Sequence, residues 1–171
     1  MTGSELKSAQ APLKEQYQTQ PATALVTLRA EGTLGDQVSC SITTGRALVE
    51  AGLHPATGGT GELACSGDML LEALVACAGV TLKAVATAIG VPIRRGNIRA
   101  EGDLDFRGTL GVAKEAPVGF SDIRLIFDLD ADATPEQIET LVKLTKRYCV
   151  IYQTLQQSPA LDLAVRTTES V

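Results

Sequence analysis

The spacing of apolar residues changes period several times along the chain, and each change marks an element. Residues 1–20 are polar, with a weakly amphipathic piece around Leu13 and Tyr17, which predicts a short helix or a loose arm. Ala24 to Ala30 mixes apolar residues with Thr and reads as a strand. Leu34-Gly35-Asp36 marks a turn, after which Val38, Cys40 and Ile42 alternate with Gln37, Ser39, Ser41 and Thr43. That period of two is the pattern of a half-buried strand. Arg46 to Glu50 is a further strand candidate, and His54 to Gly61, rich in Gly with one Pro, is a loop.

Ser66-Gly67-Asp68 then opens a long apolar helix running to about Gly90. Ser66 is the expected N-cap, and Asp68 suits the positive end of the helix dipole. Leu70, Leu74, Cys77, Thr81 and Val85 recur at helical spacing, and much of the opposite face is Ala, Val and Gly. A helix apolar nearly all round must be covered on several sides. Strands are predicted over Ile98 to Phe106 and Ile123 to Leu129, with Gly108 to Gly119 closing a hairpin between them.

Thr134-Pro135-Glu136-Gln137 is a helix start with a capping Thr, Pro at the first helical position and Gln placed to cap in return. Ile138, Leu141, Val142, Thr145, Tyr148, Cys149 and Tyr152 form the inner stripe of this second long helix, which Ser158-Pro159 ends. Leu161, Leu163 and Val165 alternate in a final strand, Leu161 to Thr167. Strands and helices come in separate runs, so the pattern predicts an α+β domain over 21–171 preceded by the 1–20 arm.

The 171 residues suffice for one domain, and with 44% apolar and 20% charged residues a core of ordinary size is expected. The net charge of −5 favours solubility and argues against a nucleic-acid or anionic-membrane surface. Arg94-Arg95 and Lys143 to Arg147 are short basic pieces that read as solvated faces. The first ten residues have no apolar run, so no signal peptide is expected. The uncharged stretch Ala73 to Leu82 falls short of the roughly 20 residues that cross a bilayer. An intracellular, cytoplasmic protein follows, and there the four cysteines are core residues, metal ligands or redox-active thiols rather than structural disulfides.

Cys77 and Cys149 lie on the inner faces of the two long helices and share a seam if those helices pack together; each alone could equally be a small buried hydrophobe. Cys40 alternates with Val38 and Ile42, a core pattern. His54, the only histidine, sits in a Gly/Pro-rich loop and reads as structural. One His and no CxxC or HxH spacing give little basis for a metal site, and no GxSxG elbow is present. The glycines of ATGGTGEL fit neither a phosphate loop nor GxGxxG, so no cofactor is expected.

CSGDMLLEALVACAGVTL, Cys65 to Leu82, resembles the first cysteine motif of the OsmC/organic-hydroperoxide-resistance family, and LVKLTKRYCVIYQTLQQSPALDLAVR, Leu141 to Arg166, resembles its second. The likeness spans about residues 20–168 and is closer to the broad OsmC-like branch. It implies two long central helices enclosed by antiparallel sheets, in an intertwined homodimer with the thiol pocket at the dimer interface. It also implies thiol-dependent reduction of organic hydroperoxides, Cys77 attacking and Cys149 resolving, with an external dithiol as reductant. Under that match Asp68 fills an acidic position and Arg29 is assigned as the cation over the thiolate. Arg46 and Arg147 are alternatives, since no Arg matches closely. Cys65 is a third thiol near the pocket mouth or a buried loop residue, and the 54–61 loop a connector or a lid. The alternative reading is a non-catalytic protein of this fold that holds a small ligand.

Overall fold

A computed structural model describes residues 3–34, 40–42 and 51–165. The element order is helix α1 (Gly3–Thr19), strands β1 (Leu25–Leu34) and β2 (Cys40–Ile42), helix α2 (Ser66–Ile89), strand β3 (Ile93–Asp105), a single helical turn α3 (Phe106–Thr109), strand β4 (Phe120–Ala131), and helices α4 (Pro135–Tyr148) and α5 (Val150–Gln156). The four strands form one antiparallel sheet in the order β2-β1-β3-β4. This is the mixed helix and sheet architecture that the sequence pattern predicts. The strand candidate Arg46 to Glu50 and residues Gly35 and Asp36 of the turn lie outside the described residues.

Helix α2 lies on one face of the sheet, and α4 and α5 pack against α2 in turn. The sheet face it covers follows from the register. Val26, Leu28, Ala30 and Gly32 of β1 stand opposite Leu104, Gly102, Ala100 and Ile98 of β3. Those β3 positions stand in line with Ile123, Leu125 and Phe127 of β4. Leu71, Leu74, Val75, Ala78, Ile98, Ala100 and Cys149 make the central core, and Leu82, Ala86, Val91 and Leu141 a second one further along α2. The other sheet face is polar, with Arg94–Asp130, Arg99–Asp128 and Arg124–Asp103 ion pairs crossing between β3 and β4. A side chain is absent at Gly102 because a ring needs the space: a Cβ there would stand 2.5 Å from the Phe120 ring.

Helix α2 is long and apolar enough by length and composition to cross a membrane, a longer stretch than Ala73 to Leu82 alone suggests. It holds Asp68, Glu72 and Lys83, and its Leu71, Leu74, Val75, Ala78, Leu82 and Ala86 are buried by the sheet and α4. It is the core helix of a globular domain.

Several boundaries differ from expectation. Cys65 rather than Ser66 is the N-cap of α2, in extended conformation and without a side-chain cap bond. Ser66 is already the first helical residue. Gly90 closes α2 in the left-handed conformation that glycine tolerates. The capping box at Thr134 forms as predicted, with the Gln137 N–H donating to Thr134 Oγ1 at 3.3 Å and the Thr134 N–H to Gln137 Oε1 at 2.8 Å. The helix that follows is not continuous to Ser158: it breaks at Cys149, which has an extended conformation and ends α4 while starting α5. Tyr148, expected on the inner stripe, is exposed. Leu161 to Val165 forms no strand here and is among the most exposed apolar stretches of the described residues, at 86%, 93% and 79% for Leu161, Leu163 and Val165. An alternating strand needs a neighbouring strand to supply hydrogen bonds, and the described residues offer none at that place.

Candidate functional site

Helix packing brings Cys77 and Cys149 together. Cys77 lies at mid-length of α2, on the side that meets α5, and Cys149 is the residue from which α5 starts. Both belong to the central apolar cluster, Cys149 as a 1% exposed member and Cys77 packed at its margin. Cys65, Cys77 and Cys149 are free thiols.

The break at Cys149 gives this pair its chemistry. A helix starts there, so its first amide N–H groups have no intrahelical partner. The Tyr152 N–H donates to Cys149 Sγ at 3.5 Å, making Cys149 the N-cap of α5. The Ile151 and Val150 N–H groups, the Cys149 thiol and the Thr81 hydroxyl lie beside the Cys77 sulfur and favour its anion. Burial alone pushes the Cys77 thiol up, but these donors together bring it below the ordinary thiol value. Burial first, and then the bond to Cys77, push Cys149 up to about 11 against the amides that favour its anion. The two thiols titrate as one coupled pair in which the first ionisation is favoured at Cys77.

A cavity of about 340 Å³ adjoins the pair. Its apolar wall is Leu74, Phe120, Ile123, Leu125, Tyr152 and Leu155, all members of the cluster that contains the two thiols. Leu74 precedes Cys77 by one turn of α2, and Tyr152 is the residue whose N–H reaches Cys149. Ser121, Asp122 and Gln156 form its polar rim.

Residues 59–164 match the model of the OsmC-like protein family, well over half of the chain. This chain belongs to the OsmC-like family. No curated protein matches it. Among solved structures, an OsmC-like hydroperoxide resistance protein from Jannaschia sp. CCS1 superposes with a TM-score of 0.62 at 17% identity, over 86% of this chain and 97% of that one. An OsmC-like protein from Mycoplasma pneumoniae gives 0.56 at 16% identity, over 78% and 86%. At these identities the likeness carries the fold.

Asp68, also singled out in this OsmC-like sequence, stands apart from the thiols. Asp68 lies nine residues before Cys77 on α2, about 13 Å along the axis. Its close charged neighbour is His54: burial raises the Asp68 carboxyl and His54 lowers it in return. Arg29 lies on β1 paired with Glu101 of β3. The side chain of Arg29 lies outside the described residues. Arg46 lies outside the described residues. Cys65 packs against the central cluster as the N-cap residue of α2.

His54 is held on three sides. Its Nδ1 accepts the Ala56 N–H at 3.0 Å, its ring stacks on Phe106 with centroids 4.8 Å apart, and Asp68 is its charge partner. The loop it starts is tied to α1 as well, through the Tyr17 hydroxyl donating to the Ala56 carbonyl at 2.8 Å. The segment 54–58 is thus an anchored connector.

Sequence reading missed the α5 amides. No side-chain pattern encodes them; the signal was the β-branched pair Val150-Ile151 directly after Cys149, a poor start for an uninterrupted helix only in combination with tertiary packing.

Proposed function

We propose that this OsmC-like protein reduces organic hydroperoxides, with Cys77 as the attacking thiol and Cys149 as the resolving thiol. The supporting observation is the juxtaposed pair in which one thiol is pulled below its ordinary pKa and the other is held well above it. A peroxidase of this kind needs a nucleophilic thiolate and, next to it, a second thiol that stays protonated until it is called on.

The Cys77 thiolate attacks the distal oxygen of ROOH. The S–O bond forms, the O–O bond breaks, and the alkoxide leaves and takes up a proton to give ROH. Cys77 is then a sulfenic acid. Cys149 attacks that sulfur, the S–S bond forms, and the hydroxyl departs as water with the Cys149 proton. An external dithiol restores both thiols by exchange. In this reading the α5 amides supply the anion stabilisation for which an Arg was expected, and the adjoining apolar cavity takes the organic group.

The working form in this proposal is a homodimer. Leu161, Leu163 and Val165 alternate, are exposed and lack a strand partner, so a second copy of the chain is the natural source of one. A reducing compartment, the cytoplasm, suits thiols that must be regenerated.

The test is consumption of cumene hydroperoxide by the reduced protein with a dithiol donor, at two thiols lost per turnover. No consumption with any dithiol defeats the proposal. One observation favours a second reading, ligand binding without turnover: neither sulfur lines the cavity. Under that reading Cys77→Ser keeps full affinity for an apolar ligand and nothing is consumed by either form.

A further inference from the structure

We infer that the Cys77–Cys149 bridge unlocks helix α5, so that the oxidised site opens where the reduced site is closed. The inference rests on the proposed redox pairing and concerns how that site is gated.

In the reduced protein the two sulfurs carry the start of α5. Tyr152 N–H is capped by Cys149 Sγ at 3.5 Å, and the Val150 and Ile151 amides point at Cys77. Cys149 N–H closes α4 by donating to the Thr145 carbonyl at 2.9 Å, and the Gln153 N–H donates to the Cys149 carbonyl at 3.0 Å as the first bond of α5. The first turn of α5 is thus capped by sulfur. The rest of the helix is held by Ile151, Tyr152 and Leu155, half-buried against the central cluster, and by the Gln153 side chain donating to the Lys146 carbonyl at 2.7 Å; it has seven residues, none fully buried, and Val150 is 67% exposed. A helix this short does not persist on its own hydrogen bonds.

A disulfide alters both contacts. Its sulfurs sit about 2.05 Å apart with a dihedral near 90°. To reach that geometry Cys149 Sγ must turn toward Cys77 and away from the Tyr152 N–H. Cys77 meanwhile loses its negative charge, and a neutral divalent sulfur is a poor acceptor for the Val150 and Ile151 amides. The electron and atom balance is that of the proposed reaction: two thiols give up two electrons to the peroxide O–O bond, which leaves as alcohol and water.

The gate lies where α5 meets the cavity. Tyr152, Leu155 and Gln156 form one wall of the 340 Å³ space, and the opposite wall is Phe120, Ile123 and Leu125 of the sheet. When the first turn of α5 frays, that wall withdraws, the alcohol leaves, and a dithiol reductant gains access to a disulfide made from a sulfur that was 1% exposed. Peroxide and reductant thereby meet different forms of one site.

The experiment is amide hydrogen exchange on the full-length protein, reduced and bridged, with the bridge verified by peptide mass spectrometry. Bridging is done in parallel with cumene hydroperoxide and with diamide, which oxidises dithiols without peroxide chemistry. The expected result is exchange over 150–156 that is roughly fivefold faster or more after bridging, as fits the loss of a helix cap, with α2 and β3 unchanged and full return on adding dithiothreitol. Unchanged exchange over 150–156 in protein shown to be bridged overturns the inference. If diamide bridges the pair and peroxide does not, the peroxidase reading fails while the gate is still read. If neither oxidant bridges Cys77 to Cys149, both fail. Cys149→Ser keeps a capping oxygen and cannot bridge, so peroxide should leave its α5 exchange slow; an equal acceleration there also overturns the inference.

Discussion

Cys77 and Cys149 meet across the α2–α5 contact as an unequal pair: the first faces backbone N–H donors that favour its anion, while burial leaves the second a neutral thiol with a pKa of about 11. That inequality sets the order of events. Cys77→Ser should abolish peroxide consumption. Cys149→Ser should permit one turnover and then stall, with the Cys77 sulfenic acid trapped by dimedone and visible as a single adduct. Equal residual activity in the two variants would contradict the assignment of roles.

The same inequality predicts a pH profile. A folded pKa below the ordinary thiol value means that Cys77 is already ionised in part where a free thiol is not. Its alkylation by iodoacetamide should rise with pH around a midpoint below that of an ordinary thiol. Cys149 should react only as pH approaches 11. Measured in Cys149→Ser, the Cys77 midpoint reports how much of the shift comes from the partner thiol and how much from the α5 amides.

His54 offers a clean probe, being the only histidine in the chain. Burial lowers its pKa and the Asp68 charge raises it in part. Asp68→Asn should therefore lower it further, as followed by its ring protons in an NMR titration. A folded pKa below the unfolded 6.5 means that the unfolded chain binds the proton first. The stability due to neutral His54 is present above pH 6.5 and is lost as pH falls through the folded value. A His54 midpoint unchanged in Asp68→Asn would show that the two do not interact.

Leu74 joins the thiol cluster to the cavity wall and is 1% exposed. Leu74→Ala should cost about 2–5 kcal/mol in urea unfolding, the range for emptying a packed aliphatic site. A loss under about 1 kcal/mol would mean that the neighbouring cavity already leaves the site loosely packed.

The exposed alternation at Leu161, Leu163 and Val165 should report on assembly. Replacing Leu161 and Leu163 by Asp should shift the protein toward monomer in sedimentation velocity and leave its helix content nearly unchanged. An unaltered sedimentation coefficient would remove this segment from the interface.

Patterns that a single element determines were legible in the sequence. The 134–137 capping box, the 66–90 helix with its Gly stop and the alternation of Ile123, Leu125 and Phe127 all appear as read, because local hydrogen bonding and one buried face decide them. The break at Cys149 was not legible. Its cause is tertiary: the chain bends so that the new amides meet sulfur on another helix, a contact absent from any local window. The final strand was misjudged for the opposite reason. Its period of two is present, but the described residues hold no hydrogen-bond partner that would make it a strand. For the site, the two cysteines were readable from motif and helix face. The side chain of the expected Arg29 lies outside the described residues.

The missing side chain at Gly102 works as a gauge for the substrate. The Phe120 ring leans into the space that a methyl group would fill, and that ring is one jaw of the opening beside the sulfurs. Alanine at this position would drive the jaw inward. Under the proposed peroxidase function, bulky hydroperoxides should then be turned away before small ones are, the unbranched Gly102 setting the width left beside Phe120.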